Sequence, residues 1–372
     1  MPMPHPALPV PPPRDNPDLI GHELAETTLC QAFHSGRLHH AWLIIGPRGI
    51  GKATLAFRFA RFLLANGKHK DKELASLLPD ENPALTLAVA PEHPTFKRIA
   101  SGGHADLITV ARRINEKTGR LRAEIVVEDV RTVANLLAHT PAEDGWRVVV
   151  IDAAEDMSRS SANAILKALE EPPAQSVFLL VSHAPGQVLP TIRSRCRRLT
   201  LQPLSQDAVV GLLRRYRPSL SEAEAECLSR LCEGSIGLAL FFAERDGLSL
   251  YGTMLDLMQR LPILDVVALD RLGDQVGGSG NDEKFTMVRE LFYRLMTRLI
   301  RTAAVQDGGR CEASIVDEQR ILGHLASAAG LDRWLEVWEK SNGLLARAET
   351  ANLDRKQVVL DLFLTLQSAV RS

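Results

Sequence analysis

Apolar positions along this chain follow two rhythms. Up to about residue 200, short unbroken apolar runs alternate with amphipathic stretches of helical period. That pattern predicts a parallel sheet buried on both faces, with helices between its strands. The runs are AWLII (41–45), DLITVA (106–111), RVVVID (147–152) and VFLLVS (177–182), with RRLTLQPL as the last strand. Between them, KATLAFRFARFLLANG predicts a helix with Leu55, Phe59, Phe62 and Leu63 on one face and Asn66-Gly67 as its stop. VEDVRTVANLLAHT predicts another, with Glu128 and Asp129 in the first turn, where free N–H groups favour acid. SRSSANAILKALEEPP predicts a third, ended by Pro172-Pro173. Residues 67–105 read as mainly polar and irregular. After Pro203 the strands stop: SQDAVVGLLRRYR, SEAEAECLSRLCEG and SIGLALFFAERDG predict three short helices. From about 247 the pattern is helical to the end, broken by GGSGND at 277–282.

The predicted plan has a Pro-rich, disordered tail over 1–18, an α/β module over 19–203, a small helical domain over 204–246 and an all-α domain over 247–372. The opening MPMPHPALPVPPPRD has neither a basic n-region nor an apolar h-region, so it does not read as a signal peptide. No apolar run approaches the length of a membrane span. With 44 Lys and Arg against 45 Asp and Glu, the net charge is −1, so contact with nucleic acid requires a local patch rather than a basic chain. The five cysteines, Cys30, Cys196, Cys227, Cys232 and Cys311, form no Cys-x-x-Cys pair. An odd, scattered set predicts reduced thiols and a cytoplasmic location.

The first strand runs into GPRGIGKAT (46–54), which fits Gly-x-x-x-x-Gly-Lys-[Ser/Thr] except at its last place. Strand, glycine loop, Lys and helix in that order set backbone N–H groups around a phosphate, with Lys52 reaching the β- and γ-phosphates. The candidate nucleotide-binding residues are Gly46, Gly49, Gly51 and Lys52, with Asp152 at the end of RVVVID as a metal-holding carboxylate. A chance glycine turn and a helix-capping aspartate are the alternatives. The defect is chemical: a working loop ligates Mg²⁺ through a Ser/Thr hydroxyl, and this chain has Ala53. Thr54 is one step on, turned about 100° around the helix.

Four segments, GRLHHAWLIIGPRGIGK, SANAILKALEEPP, FLLVSHAP and TIRSRCRRL, make residues 19 to about 245 resemble the clamp-loader branch of AAA+ proteins. The most specific element is Leu-Glu-Glu-Pro-Pro followed about twenty residues later by Ser194-Arg195-Cys196. Within that branch the chain is most similar to the delta-prime type of bacterial DNA polymerase III. The resemblance implies an AAA+ P-loop module, a helical lid, and a C-terminal collar that holds a five-membered ring. It implies gamma/tau and delta subunits, the beta sliding clamp and primer–template DNA as partners, with no membrane. Motor subunits of the family carry Thr after the loop Lys, Glu after the strand Asp and Arg in the third lid helix; this chain has Ala53, Ala153 and Gly237. Glu155 could replace the missing Glu only if the strand end bends. The resemblance also implies that Arg195 projects into a neighbour's ATP site, acting in trans, as a planar, permanently charged guanidinium can bond two phosphate oxygens.

Three readings follow. The first is a non-hydrolysing subunit of the loader that requires no cofactor. The second is an autonomous AAA+ ATPase or a gamma/tau-type motor. The third, which Lys52 and the glycines keep open, holds ATP or ADP without turnover. Many relatives carry four zinc-binding cysteines after the loop, but residues 53–151 contain none, and His69, His93 and His104 are scattered, so no zinc is expected. Arg58, Arg61, Arg112 and Arg113 are candidates for DNA contact, with solvated helix faces as the alternative.

Overall fold

A computed structural model describes residues 10–66, 86–116, 119, 121–142, 145–278, 282–305, 316–350 and 353–371. Residues 1–9 of the tail, residues 67–85 with His69, the middle of the glycine-rich break and Cys311 lie outside the described residues. The chain divides into two compact units, one holding residues 10–216 with Glu233–Gly237, the other Arg217–Cys232 and the described residues from 238 to 371.

The first unit is built on five parallel strands in the order β2-β3-β4-β1-β5. They are β1 (Ala41–Ile45), β2 (Leu107–Ala111), β3 (Arg147–Asp152), β4 (Ser176–Ser182) and β5 (Arg197–Thr200). Every residue of β4 and the first five of β3 are buried, which explains their unbroken apolar runs. β5 lies at an edge, and its Arg197 and Arg198 are exposed there. Successive side chains point to opposite faces. Trp42, Ile44, Val148, Val150, Leu179 and Val181 meet helices α1 (Glu23–His34) and α2 (Lys52–Asn66). Leu43, Val149, Ile151, Phe178 and Leu180 meet α4 (Val127–Ala138) and α5 (Arg159–Glu170). A short α3 (Pro94–Ala100) precedes β2; a single turn, α6 (Pro190–Arg193), precedes β5; and α7 (Gln206–Tyr216) follows it. This is the α/β module with helices on both faces that the apolar pattern predicts.

Three features differ from the pattern. Helices α1 and α3 stand where no helix is predicted. Arg58 and Arg61 lie on the buried side of α2, neither on a solvated face nor free to meet DNA. Arg58 pairs with Glu26 at 2.9 Å, and Arg61, 1% exposed, donates to the carbonyls of Arg14 (2.8 Å) and Asn16 (2.6 Å). Those bonds anchor the end of the Pro-rich segment, so residues 14–18 are a strap fixed to α2 rather than a disordered tail.

In the second unit, α8 (Glu222–Cys232) and the end of α9 (Ile236–Ala243) are followed by α10 (Gly247–Gln259), α11 (Val266–Gly277), α12 (Asp282–Ala304), α13 (Val316–Ala328), α14 (Leu331–Thr350) and α15 (Arg355–Arg371). Leu291, Leu295 and Leu299 of α12 and Val359, Leu362, Phe363 and Leu366 of α15 are fully buried, or nearly so. The last carbonyls of α8 are capped from α12: Arg294 donates to Leu231 O at 2.8 Å and Arg298 to Arg230 O at 2.6 Å. Arg298 also binds buried Glu318 of α13 at 2.6 Å. Residues 204–246, read above as one lid, are thus shared: α7 packs with the α/β module and α8 with the later helices.

Candidate functional site

Parallel register decides what meets at the carboxyl edge of the sheet. Ile45 pairs with Ser182, and Asp152 with Val181, so the glycine loop after β1, the carboxylate ending β3 and the residues after β4 share one edge. Gly46, Gly49, Gly51, Lys52 and Asp152 are brought together there. The three glycines take φ of 152°, 77° and 102°, and a Cβ on Gly46 would lie 2.6 Å from the Leu201 carbonyl oxygen. Lys52 opens α2 but is folded back: its Nζ donates to Gly46 O at 2.7 Å and to Pro47 O. Burial lowers its pKa to about 8 against the opposing pull of Glu155 and Asp152. Burial also raises the Asp152 carboxyl, and Lys52 partly offsets that.

The residues around the loop do not supply what a metal–nucleotide complex needs. Ala53 offers no hydroxyl, and Ala153, 6% exposed, offers no base. Glu155 follows in a turn of 3₁₀ helix (Ala154–Asp156) and faces β4, where its Oε1 accepts from His183 N at 2.7 Å and Ala184 N at 3.2 Å. Burial alone would raise its pKa; hydrogen bonds from its own N–H and that of His183 outweigh this and hold it low. Glu155 therefore ties down the chain after β4 and does not replace the missing Glu. Asp152 lies beside Lys52, and positions 53 and 153 add no further side-chain oxygen for a metal.

A second segment closes on the loop. Gly237 N donates to Gly49 O at 2.8 Å, and Ser235 Oγ to Arg48 O at 2.8 Å. The two glycines meet face to face: a Cβ at 237 would lie 3.0 Å from Gly49 Cα, and one at 49 would lie 2.4 Å from Ser235 Oγ. From the other side, the ring of buried His22 donates through Nε2 to Ile50 O at 2.6 Å. Each carbonyl from Gly46 to Gly51 is thus engaged within the chain, the last by Leu55 N at 3.0 Å. His22, Ser235 and His183 are the residues that sequence reasoning missed. His183 carries a buried Nδ1 without a partner, and burial beside Lys52 lowers its pKa to about 4.

Arg195 is not part of this cluster. β5 runs parallel to β1 with Arg197 opposite Trp42 and Thr200 opposite Ile45, so the loop continues from one end of the pair and Arg195 precedes the other. About four residues of strand, roughly 13 Å, separate the two edges. Arg195 cannot serve its own loop. Buried Ile192 and Cys196 pin the tip on either side, and burial pushes the Cys196 thiol up to about 12. The Arg195 guanidinium donates to Thr191 O at 2.8 Å and to Glu170 Oε1, at the end of α5, at 2.6 Å. Arg193 instead turns inward to Pro185 O at 3.2 Å.

A family model described as "DNA polymerase III, delta subunit" matches residues 21–205. The tau subunit of DNA polymerase III from Salmonella typhimurium is 30% identical over 232 residues, 61% of this chain and 32% of that protein. The delta' subunit from Pseudomonas aeruginosa is 36% identical over 157 residues, 42% of this chain and 41% of the relative. Residues 21–205 belong to the clamp-loader family of AAA+ proteins. Outside this clamp-loader module the likeness extends to the gamma subunit of Buchnera aphidicola (subsp. Schizaphis graminum), 25% identical over 333 residues, 87% of this chain and 81% of the relative. The chain spans about a third of the length of the tau subunits of Salmonella typhimurium and Escherichia coli. Among solved structures, a gamma subunit-related protein of Thermotoga maritima aligns over 93% of this chain and 100% of that one, at 19% identity and a TM-score of 0.37.

Of the other residues singled out, Arg112 pairs with Asp156 at 2.9 Å and Arg113 with buried Asp129 at 3.1 Å. His93 caps α3 through Thr95 N, and His104 accepts from Asp106 N. Among the described residues no helix is long and apolar enough to cross a membrane.

Proposed function

We propose that this chain is the stator-type, delta-prime subunit of a bacterial DNA polymerase III clamp loader. It hydrolyses no ATP itself, helps load the beta clamp onto primed DNA, and supplies Arg195 in trans to a neighbouring gamma/tau motor subunit. The observation that carries the reading is the contact between Gly237 and Gly49. It closes a lid glycine onto the phosphate loop where a motor would need an arginine, and a side chain there would begin 3.0 Å from Gly49 Cα, so the loop would have to shift to admit it. Ala53 and Ala153 support the same reading, because metal ligation and water activation are independent requirements and both are missing. In this reading residues 247–372 form the collar of a ring shared with delta and gamma/tau, in the bacterial cytoplasm, and the chain takes no zinc.

The purified full-length chain is expected to hydrolyse ATP at background. Ala53→Thr alone should not revive it, since positions 153 and 237 stay unchanged. Steady turnover abolished by Lys52→Ala would favour the motor reading instead. The intact glycine cradle and Lys52 favour one second reading, in which ATP or ADP is held without turnover. Equilibrium dialysis against labelled ATP and ADP separates the two, and the stator reading expects no retention once Lys52 occupies the Gly46 and Pro47 carbonyls.

A further inference from the structure

We infer that Glu170 is a positioning residue that holds the arginine tip in reserve, keeping Arg195 bound within its own subunit until a neighbour's phosphate displaces the carboxylate. The inference rests on the trans role proposed for Arg195. The Arg195 guanidinium is held at both ends. One terminal nitrogen donates to Thr191 O at 2.8 Å, and the other to Glu170 Oε1 at 2.6 Å. The backbone beneath cannot swing freely, because Ile192 is 0% and Cys196 9% exposed. Release of Arg195 is therefore a side-chain event, which breaks the Glu170 pair together with the bonds to Thr191 O and Ser194 Oγ.

Two features make this pair a competitor for phosphate rather than a support for its binding. A phosphate and a carboxylate seek the same planar donors. A phosphate taking two of them would also bring its negative oxygens against the carboxylate of Glu170. The pair also lies at the last turn of α5, where free carbonyls favour a cation and add to the hold on Arg195. Both side chains remain partly open to solvent, 34% for Arg195 and 48% for Glu170, so the hold is weak and reversible. Exposed pairs of this kind contribute about 0.2–1 kcal/mol, equivalent to roughly a 1.5- to 5-fold bias against the released arginine. A bias of that size restrains idle hydrolysis and is overcome when clamp and DNA draw the subunits together.

The test uses a loader reconstituted from the full-length chain and its partner subunits, with every motor site silenced except the one facing this chain. Glu170→Gln should raise ATP hydrolysis without clamp and DNA about 1.5- to 5-fold, and raise the fully stimulated rate less, so that the stimulation ratio falls. In an Arg195→Ala background the same substitution should have no effect, which separates restraint of the arginine from a change in fold. Glu171→Gln, one residue on and exposed, should match wild type. If Arg195→Ala lowers the stimulated rate while Glu170→Gln leaves the unstimulated rate unchanged or reduces it, the restraint is refuted and the trans role stands. If Arg195→Ala has no effect on either rate, the trans role is refuted and the restraint with it.

Discussion

Lys52 shows at one residue how the glycine loop is closed on itself. Its ammonium is buried against two loop carbonyls, and its pKa falls from 10.5 to about 8. The unfolded chain therefore binds more protons than the folded one between about pH 8 and 10.5, and stability contributed at this position rises with pH through that window. Lys52→Met removes the titration. Its melting temperature relative to wild type should be highest at pH 7 and decline by pH 10; a constant difference would show that Lys52 does not titrate there. Arg61 makes the opposite point. It reads in sequence as part of a polar face and a candidate for DNA, yet it is buried and holds the 14–18 strap. Arg61→Ala should lower stability by about 3 kcal/mol, the scale of losing charged hydrogen bonds in a buried site. Chemical denaturation reads this directly, and an unchanged midpoint with weakened DNA binding would restore the DNA role.

At the scale of elements, β1, β3 and β4 were legible because strands buried on both faces leave unbroken apolar runs. Helix α1 was not, because its buried face includes Glu26, whose charge is matched by Arg58 from another helix. A buried ion pair places polar letters where the period asks for apolar ones. The glycine loop was legible for a local reason, as its residues lie within one turn of chain. The segment that closes on it was not, since Ser235 and Gly237 lie almost two hundred residues further along. Nor did the pattern show that Glu155 would be spent on the chain after β4. The Gly49–Gly237 approach predicts that Gly237→Ala forces the two backbones apart, at about 1–3 kcal/mol, the range for overpacking. A denaturation midpoint equal to wild type would mean that the contact is loose.

At the scale of the molecule, the division of residues 204–246 changes what a truncation should do. A cut after residue 245 removes Arg294 and Arg298, which cap α8, and uncovers Leu228 and Leu231. The fragment should bind an apolar dye and be cleaved by trypsin near Arg230; a protease-resistant, dye-silent fragment would show that α8 stands without the later helices. The central claim is that a chain with a silent loop at one edge of its sheet acts through an arginine at the other. The most direct measurement is clamp- and DNA-stimulated ATP hydrolysis in a reconstituted loader carrying Arg195→Ala, Arg195→Lys or Arg193→Ala. The account predicts that Arg195→Ala assembles normally and melts like wild type, since partly exposed pairs contribute little. Hydrolysis at the adjacent motor site should collapse, because an arginine supplied in trans is worth about 10³–10⁵ in rate. Arg195→Lys should rescue it poorly, and Arg193→Ala should leave it intact. Wild-type hydrolysis with Arg195→Ala, or a loss confined to Arg193→Ala, would contradict it.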